Sequence, residues 1–243
     1  SMSESDTSST SESGSNAASG DASPGQAESA GTSDSRSSDA ESGNPVYQTL
    51  IPAYTVMFAF FLVTIMARSF IAERELGTLK RLRMAPISAV DLVLGKTLPF
   101  LMISLVQSVV LFVFGRLLFE MSWGSFPWLL IPIVAATSLA ATGMGLLVAT
   151  LVRTDSQVSA YANFLVITLA GISGCFMPRD WLPEMMQNVS LATPHAWSLI
   201  AYHEALTNPN PRIAEVAQAC GVLLLFAVVF ASLGCWKMQT SRD

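Results

Sequence analysis

Residues 46–67, VYQTLIPAYTVMFAFFLVTIMA, carry no charged side chain and end against Arg68. At about 1.5 Å of rise per residue, a helix needs about 20 apolar residues to cross a bilayer core about 30 Å thick, and this run supplies them. Four more uncharged runs follow: Thr97 to Gly115, extending past Arg116 to Phe119; Met121 to Val152; Ser156 to Pro178; and Val216 to Trp236. The third is too long for one span, and Trp123, Pro127 and Trp128 place its start at an interface, with the helix proper beginning at about Pro127 or Leu129. Gly171, Gly174 and Pro178 predict a broken or partly re-entrant end to the fourth. Five such helices in a soluble protein would have almost no polar face to turn to water. The fold class expected is therefore all-α: a polytopic membrane protein with about five transmembrane helices. Packing within lipid relies on small residues. Ala141, Gly145 and Ala149 recur at four-residue spacing on the third run, and their face is the expected site of tight helix contact.

Composition points the same way. Of 243 residues, 51% are hydrophobic and only 13% charged, and the mean hydropathy is +0.47, where soluble domains carry roughly a quarter charged residues. Charge is divided unevenly: residues 1–45 hold eight acids and one base, Arg36, and residues 46–243 hold ten acids and twelve bases. The first 45 residues contain sixteen Ser and five Gly and no Val, Ile, Leu, Phe, Tyr or Trp. They cannot bury enough apolar surface to offset the entropy of ordering. Residues 1–45 are thus expected to be a disordered acidic Ser-rich tail, and 46–243 the membrane domain. A secretory signal is excluded for the tail, because the positive n-region and apolar run are both missing.

Orientation follows from the Lys and Arg of short loops, which stay cytoplasmic. The segment from Arg68 to Lys96 holds six: Arg68, Arg74, Lys80, Arg81, Arg83 and Lys96. Alternation then places the 116–120 turn outside, Arg153-Thr154-Asp155 inside, 179–215 outside and the C-terminus inside. The N-terminal tail comes out extracytoplasmic, on a protein integral to the plasma (inner) membrane.

The basic loop is the most informative segment. Residues 72–88 read AERELGTLKRLRMAPIS, with Leu76, Leu79 and Leu82 at three-residue spacing, which predicts a short helix along the membrane surface. Pro86 disfavours helical geometry at Ala85 and stops it. Ser88 followed by Asp91 offers a capping-box start for the helix that runs through Gly95-Lys96 into the second span. Charge alone would allow a solvated basic face that only fixes topology. The full string narrows this: Glu73-Arg74-Glu75-x-Gly77-Thr78-Leu79, then Pro86-x-Ser88, then Leu94-Gly95-Lys96, resembles the signature of ABC-2 type transporter permeases, the membrane subunits of ATP-binding cassette exporters. The resemblance continues through Gly145-Leu146-Leu147, Ala149 and Arg153, and through Ser173-Gly174-x-Phe176-x-Pro178, Leu182-Pro183 and Pro194. It covers roughly residues 50–236.

That resemblance implies a cytoplasmic coupling element docking on a nucleotide-binding subunit, with Glu73, Arg74, Glu75, Gly77, Thr78 and Leu79 as its transmission residues. It implies export driven by ATP, with ATP and Mg used by the ATPase partners and no cofactor or metal bound by this chain. It also implies a second permease subunit, identical or different, and no catalytic site in the permease. Family members begin with a cytoplasmic N-terminus and a further span. Here the acidic tail stands in that place, so the chain resembles five of six spans. A truncated, non-transporting membrane scaffold or anchor is the alternative reading.

Other patterns lead nowhere. Gly95-Lys96-Thr97 resembles the end of a phosphate-binding loop, but position 90 is Val where the motif needs Gly. His195 and His203 lack zinc spacing, and Glu204 beside His203 reads as part of a solvated outer loop. Asn188-Val189-Ser190 fits a glycosylation acceptor only in a eukaryotic lumen. Cys175, Cys220 and Cys235 read as buried free thiols. Trp181, Trp197 and Tyr202 read as interfacial anchors. No basic aromatic groove invites nucleic acid. A membrane-embedded enzyme is disfavoured, since no ionisable side chain lies clearly inside a span. The spans do not indicate a substrate-binding residue.

Overall fold

The computed structural model describes residues 45–76 and 89–240. The expected tail up to Asn44 and the elbow from Gly77 to Ser88 lie outside the described residues. All regular elements among those described are helical: α1 Pro45–Glu75, α2 Ala89–Phe119, α3 Leu130–Leu151, α4 Asp155–Gln157, α5 Asn163–Ser173, α6 Glu184–Ser190, α7 Pro194–Thr207 and α8 Ile213–Thr240. A 3-10 turn at Pro127–Leu129 leads into α3, beginning at the Pro127 that the sequence marks as the start of the helix.

Four helices are long and apolar enough to cross a membrane: Val46–Glu73, Leu94–Phe119, Pro127–Leu151 and Ile213–Met238. The fourth run differs from expectation. Ser156 to Pro178 is not one helix, because α4 passes into a π-turn at Val158–Ala162 before α5 begins. A π-turn adds a residue to the turn. Here it accompanies two polar contacts on α1, Arg68 Nη2 donating to Ser159 Oγ at 2.6 Å and Thr64 Oγ1 donating to Asn163 Oδ1 at 3.0 Å. The far end breaks as the glycines predict. Gly174 adopts φ +94, and the Cys175 N–H returns to Ala170 O at 3.0 Å, a left-handed stop that glycine tolerates without a Cβ penalty. The segment still runs the length of the bundle, since Asp155 pairs with Arg68 of α1 while Gly174 shares a cleft with Gln48 near the start of α1.

Helix α3 is the hub, packed between α1 and α8. Small residues set both contacts. A Cβ built on Gly143 would lie 2.8 Å from the Ala227 carbonyl oxygen of α8, and one on Gly145 would lie 2.8 Å from Met66 Sδ of α1. Ala141 and Ala149 are buried on the same helix. Hydroxyls on these helices bond within the bundle, as they must where water is absent. Ser104 of α2 donates to Ser138 of α3 at 2.9 Å, and Thr137 of α3 donates to Ser198 of α7 at 3.1 Å. Helices α2 and α8 turn large apolar residues outward, among them Val106, Val110 and Leu117, and Leu225, Val228 and Leu233.

Helix α7 corrects the reading of 179–215 as a solvated outer hairpin. Thr193 caps it by accepting the Ala196 N–H and contacts Ser173 of α5 at 2.7 Å. Ala196, Ala201 and Ala205, all buried, let its backbone enter the bundle. Tyr202 is consequently no interfacial anchor: it is fully buried, its ring 5.2 Å from that of Phe112 on α2. Trp197 is half-buried, with its indole N–H on Leu191 O at 2.8 Å. Trp181 alone of the three is largely exposed.

Candidate functional site

The charged groups nearest the elbow belong to the last turns of α1, the first turns of α2 and the start of the α4–α5 segment. Lys96, on the second turn of α2, is the best shielded of these, its side chain only 10% exposed. Its ammonium forms an ion pair with Glu73 of α1 and lies 3.7 Å from the ring centroid of Phe70. A shielded ammonium needs such compensation, because removing it from water costs several kcal/mol, and an aromatic face contributes roughly 0.5–2 kcal/mol of attraction. Arg68 reaches the other way. Its Nε lies 3.7 Å from Asp155 Oδ1 and its Nη2 donates to Ser159.

Of the six expected transmission residues, Glu73 is thus engaged with Lys96. Arg74 lies in the last turn of α1. Glu75 ends that helix with its side chain exposed, and Leu76 follows at 79% exposure. Gly77, Thr78 and Leu79 lie outside the described residues. Among the described residues, Glu75 and Leu76 are therefore exposed at the end of α1, an acid beside an apolar group. Sequence reasoning placed Lys96 in the motif without a role. The available signal was the pairing of a base at the start of one helix with an acid at the end of the preceding one.

A second polar cluster occupies the opposite end. Glu204 of α7, buried rather than solvated, accepts the Arg212 backbone N–H at 2.8 Å and an amide N–H of Asn208. Arg212 pairs with it at 3.6 Å and with Glu215 of α8 at 2.7 Å. This ties α7 to the start of α8. The cluster borders a cleft of about 380 Å³ walled by Gln48 and Pro52 of α1, Arg179 and Gln187, and His203 and Glu204. His195 lies deeper, fully buried, its ring 3.8 Å from that of Phe60 and neither ring nitrogen hydrogen-bonded. Among the described residues no three His, Cys, Asp or Glu side chains are grouped to hold a metal ion.

The sequence profile of a family described as "ABC-2 family transporter protein" matches residues 5–236. The linearmycin resistance permease protein LnrN of Bacillus subtilis (strain 168) is 30% identical over 199 residues, which is 81% of this chain and 51% of that protein. The inner membrane transport permease YhhJ of Escherichia coli (strain K12) is 29% identical over 135 residues, 54% of this chain and 36% of that one. The probable multidrug ABC transporter permease YbhR of Escherichia coli (strain K12) is 26% identical over 148 residues, 60% and 40% respectively. The chain spans about half, or less, of the length of these relatives.

Proposed function

The chain belongs to the ABC-2 transporter family, and from that premise we propose that it forms membrane-embedded permease structure of an ATP-driven exporter whose nucleotide-binding subunits are separate. The observation that supports this best is the elbow end. Glu75 and Leu76 are exposed there, at the tip of a helix held to its neighbours by two ion pairs. A mixed charged and apolar lip on a braced helix pair can receive the closing motion of an ATPase dimer and pass it on as a rigid displacement. The excess of bases between Arg68 and Lys96 supports a cytoplasmic position for this end, with the cleft end outside. No step of chemistry falls to the permease: ATP hydrolysis, with its Mg, belongs to the partner.

The outward apolar faces of α2 and α8 meet lipid or a second permease subunit. The substrate class to test first is that suggested by the names of the relatives, one a linearmycin resistance permease and one a probable multidrug permease. The deciding experiment is a mild-detergent pull-down of the tagged chain from native membranes, beside a Glu75→Lys variant, with mass spectrometry of the co-purifying proteins. An ATP-binding cassette subunit held by wild type and lost by the variant, with equal membrane insertion, is the expected result. Recovery of no ATPase with folded wild-type protein would leave the scaffold reading standing.

A further inference from the structure

The elbow leaves α1 at Leu76 and rejoins the described structure at Ala89, so whatever acts on it acts on two helices at once. Whether they move together depends on what joins them. Phe70 and Glu73 are three residues apart on α1 and share one face. Lys96 of α2 closes onto both, its ammonium 3.7 Å from the ring centroid of Phe70 and paired with the carboxylate. At about 100° per residue, Arg68 lies roughly 140–200° round the helix from these two. It grips Asp155 and Ser159 of the next segment. The last turns of α1 are therefore held from opposite sides, to α2 by Lys96 and to the α4–α5 segment by Arg68.

We infer that Lys96 is the positioning residue of the elbow: clamped between Phe70 and Glu73, it fixes the first turns of α2 to the last turns of α1, so that a load on the elbow moves both helices as one body. The inference rests on the exporter reading and gives Glu73 a different part from Glu75. Glu73 braces the helix pair from within, while Glu75 faces outward to the partner.

The asymmetry of the clamp selects the variant to use. Neutralising Glu73 would leave a shielded ammonium without its counter-charge, which risks misfolding. Replacing Lys96 instead leaves Glu73, whose side chain is 36% exposed, free to take up water. Lys96→Met keeps an apolar stem over Phe70 and removes only the charge. Lys96→Arg keeps the charge and can stack on the ring.

The test uses the permease purified with its ATPase, with native cysteines replaced and spin labels at Ala72→Cys and Leu94→Cys, exposed on the last turns of α1 and the first turns of α2, for the elbow distance. A second pair, at Val46→Cys and Ile213→Cys, reports on the opposite end. Distances are measured by pulsed electron resonance, nucleotide-free and after trapping with ATP and vanadate. In wild type the elbow distance should stay narrow in both states while the far pair shifts on trapping. Lys96→Met should broaden the elbow distribution at least twofold and abolish the far shift, with ATPase recovery and nucleotide trapping within twofold of wild type, and Lys96→Arg should restore both distances. A far shift in Lys96→Met equal to that of wild type would overturn the inference. So would equal broadening in Lys96→Arg and Lys96→Met. Failure of any ATPase to co-purify with wild type, or no far shift in wild type, would instead sink the exporter reading on which it rests.

Discussion

Three glycines on the packed helices differ in what a methyl group would meet, and Gly→Ala at each isolates the contact. At Gly143 the new Cβ would sit 2.8 Å from the Ala227 carbonyl oxygen and 3.3 Å from its Cα. That neighbour is backbone, so α3 and α8 must part. Overpacking of this kind costs about 1–3 kcal/mol, against about 1 kcal/mol gained from replacing glycine within a helix, which leaves Gly143→Ala less stable by up to about 2 kcal/mol. At Gly145 the 2.8 Å neighbour is Met66 Sδ, part of a flexible side chain that can swing aside, and the nearest backbone atom, Val63 Cα, is at an ordinary 3.4 Å. The same arithmetic puts Gly145→Ala near zero, within about 1 kcal/mol. At Gly221 nothing lies within 4 Å, so Gly221→Ala should be neutral or stabilising by up to about 1 kcal/mol. The assay is reversible unfolding in bicelles by titration with SDS, followed by tryptophan fluorescence. The order expected is Gly221→Ala, then Gly145→Ala, then Gly143→Ala as the least stable. Gly145→Ala falling below Gly143→Ala would refute the claim that rigidity of the neighbour sets the cost.

The same titration tests His195. His195→Phe keeps the stack on Phe60 and removes two unpaired ring nitrogens, so it should be neutral or up to about 2 kcal/mol more stable, and a loss of more than about 1 kcal/mol would show that the imidazole makes a bond the geometry lacks. Cys175 tests burial by chemistry. Its side chain is only 2% exposed, and a maleimide must reach the sulfur to react with its thiolate. In a variant that retains Cys175 as its only cysteine, maleimide should label slowly at pH 9 until the protein is unfolded, and rapid labelling of the folded protein would contradict that burial.

Much of the bundle was legible because lipid imposes a simple rule: long uncharged runs with bases between them. Runs 46–67 and 216–236, and the start of α3 at the Pro127 turn, follow from hydropathy and from Trp and Pro placement alone. Two features were hidden by that rule. The first was the depth of α7, since Ser198, Tyr202, His203 and Glu204 make its composition look like an outer loop. The burial comes from Ala196, Ala201 and Ala205, small residues whose effect depends on which helices they meet. The second was the π-turn at Val158–Ala162. Hydropathy counts apolar residues and is blind to the polar contacts of Ser159 and Asn163 with α1. At the elbow the motif does not separate Glu73, paired with the internal Lys96, from Glu75, exposed at the end of α1, because both are the same letter.

The distribution of charge through the described residues gives the embedding an independent argument. Along α1, Gln48 borders the cleft end and Arg68 the elbow end, a separation of 20 residues or about 30 Å, the thickness of a bilayer core. Arg68, Glu73, Lys96 and Asp155 lie at one level and Arg179, Glu204, Arg212 and Glu215 at the other. Between them the cross-helix bonds are made by uncharged groups, Thr64 with Asn163, Ser104 with Ser138 and Thr137 with Ser198. Hydroxyl and amide pairs hold helices where a charge would be costly, and ion pairs hold them where headgroups and water lower that cost. The charged cross-links therefore sit at the two ends, one beside the elbow and one where α7 joins α8.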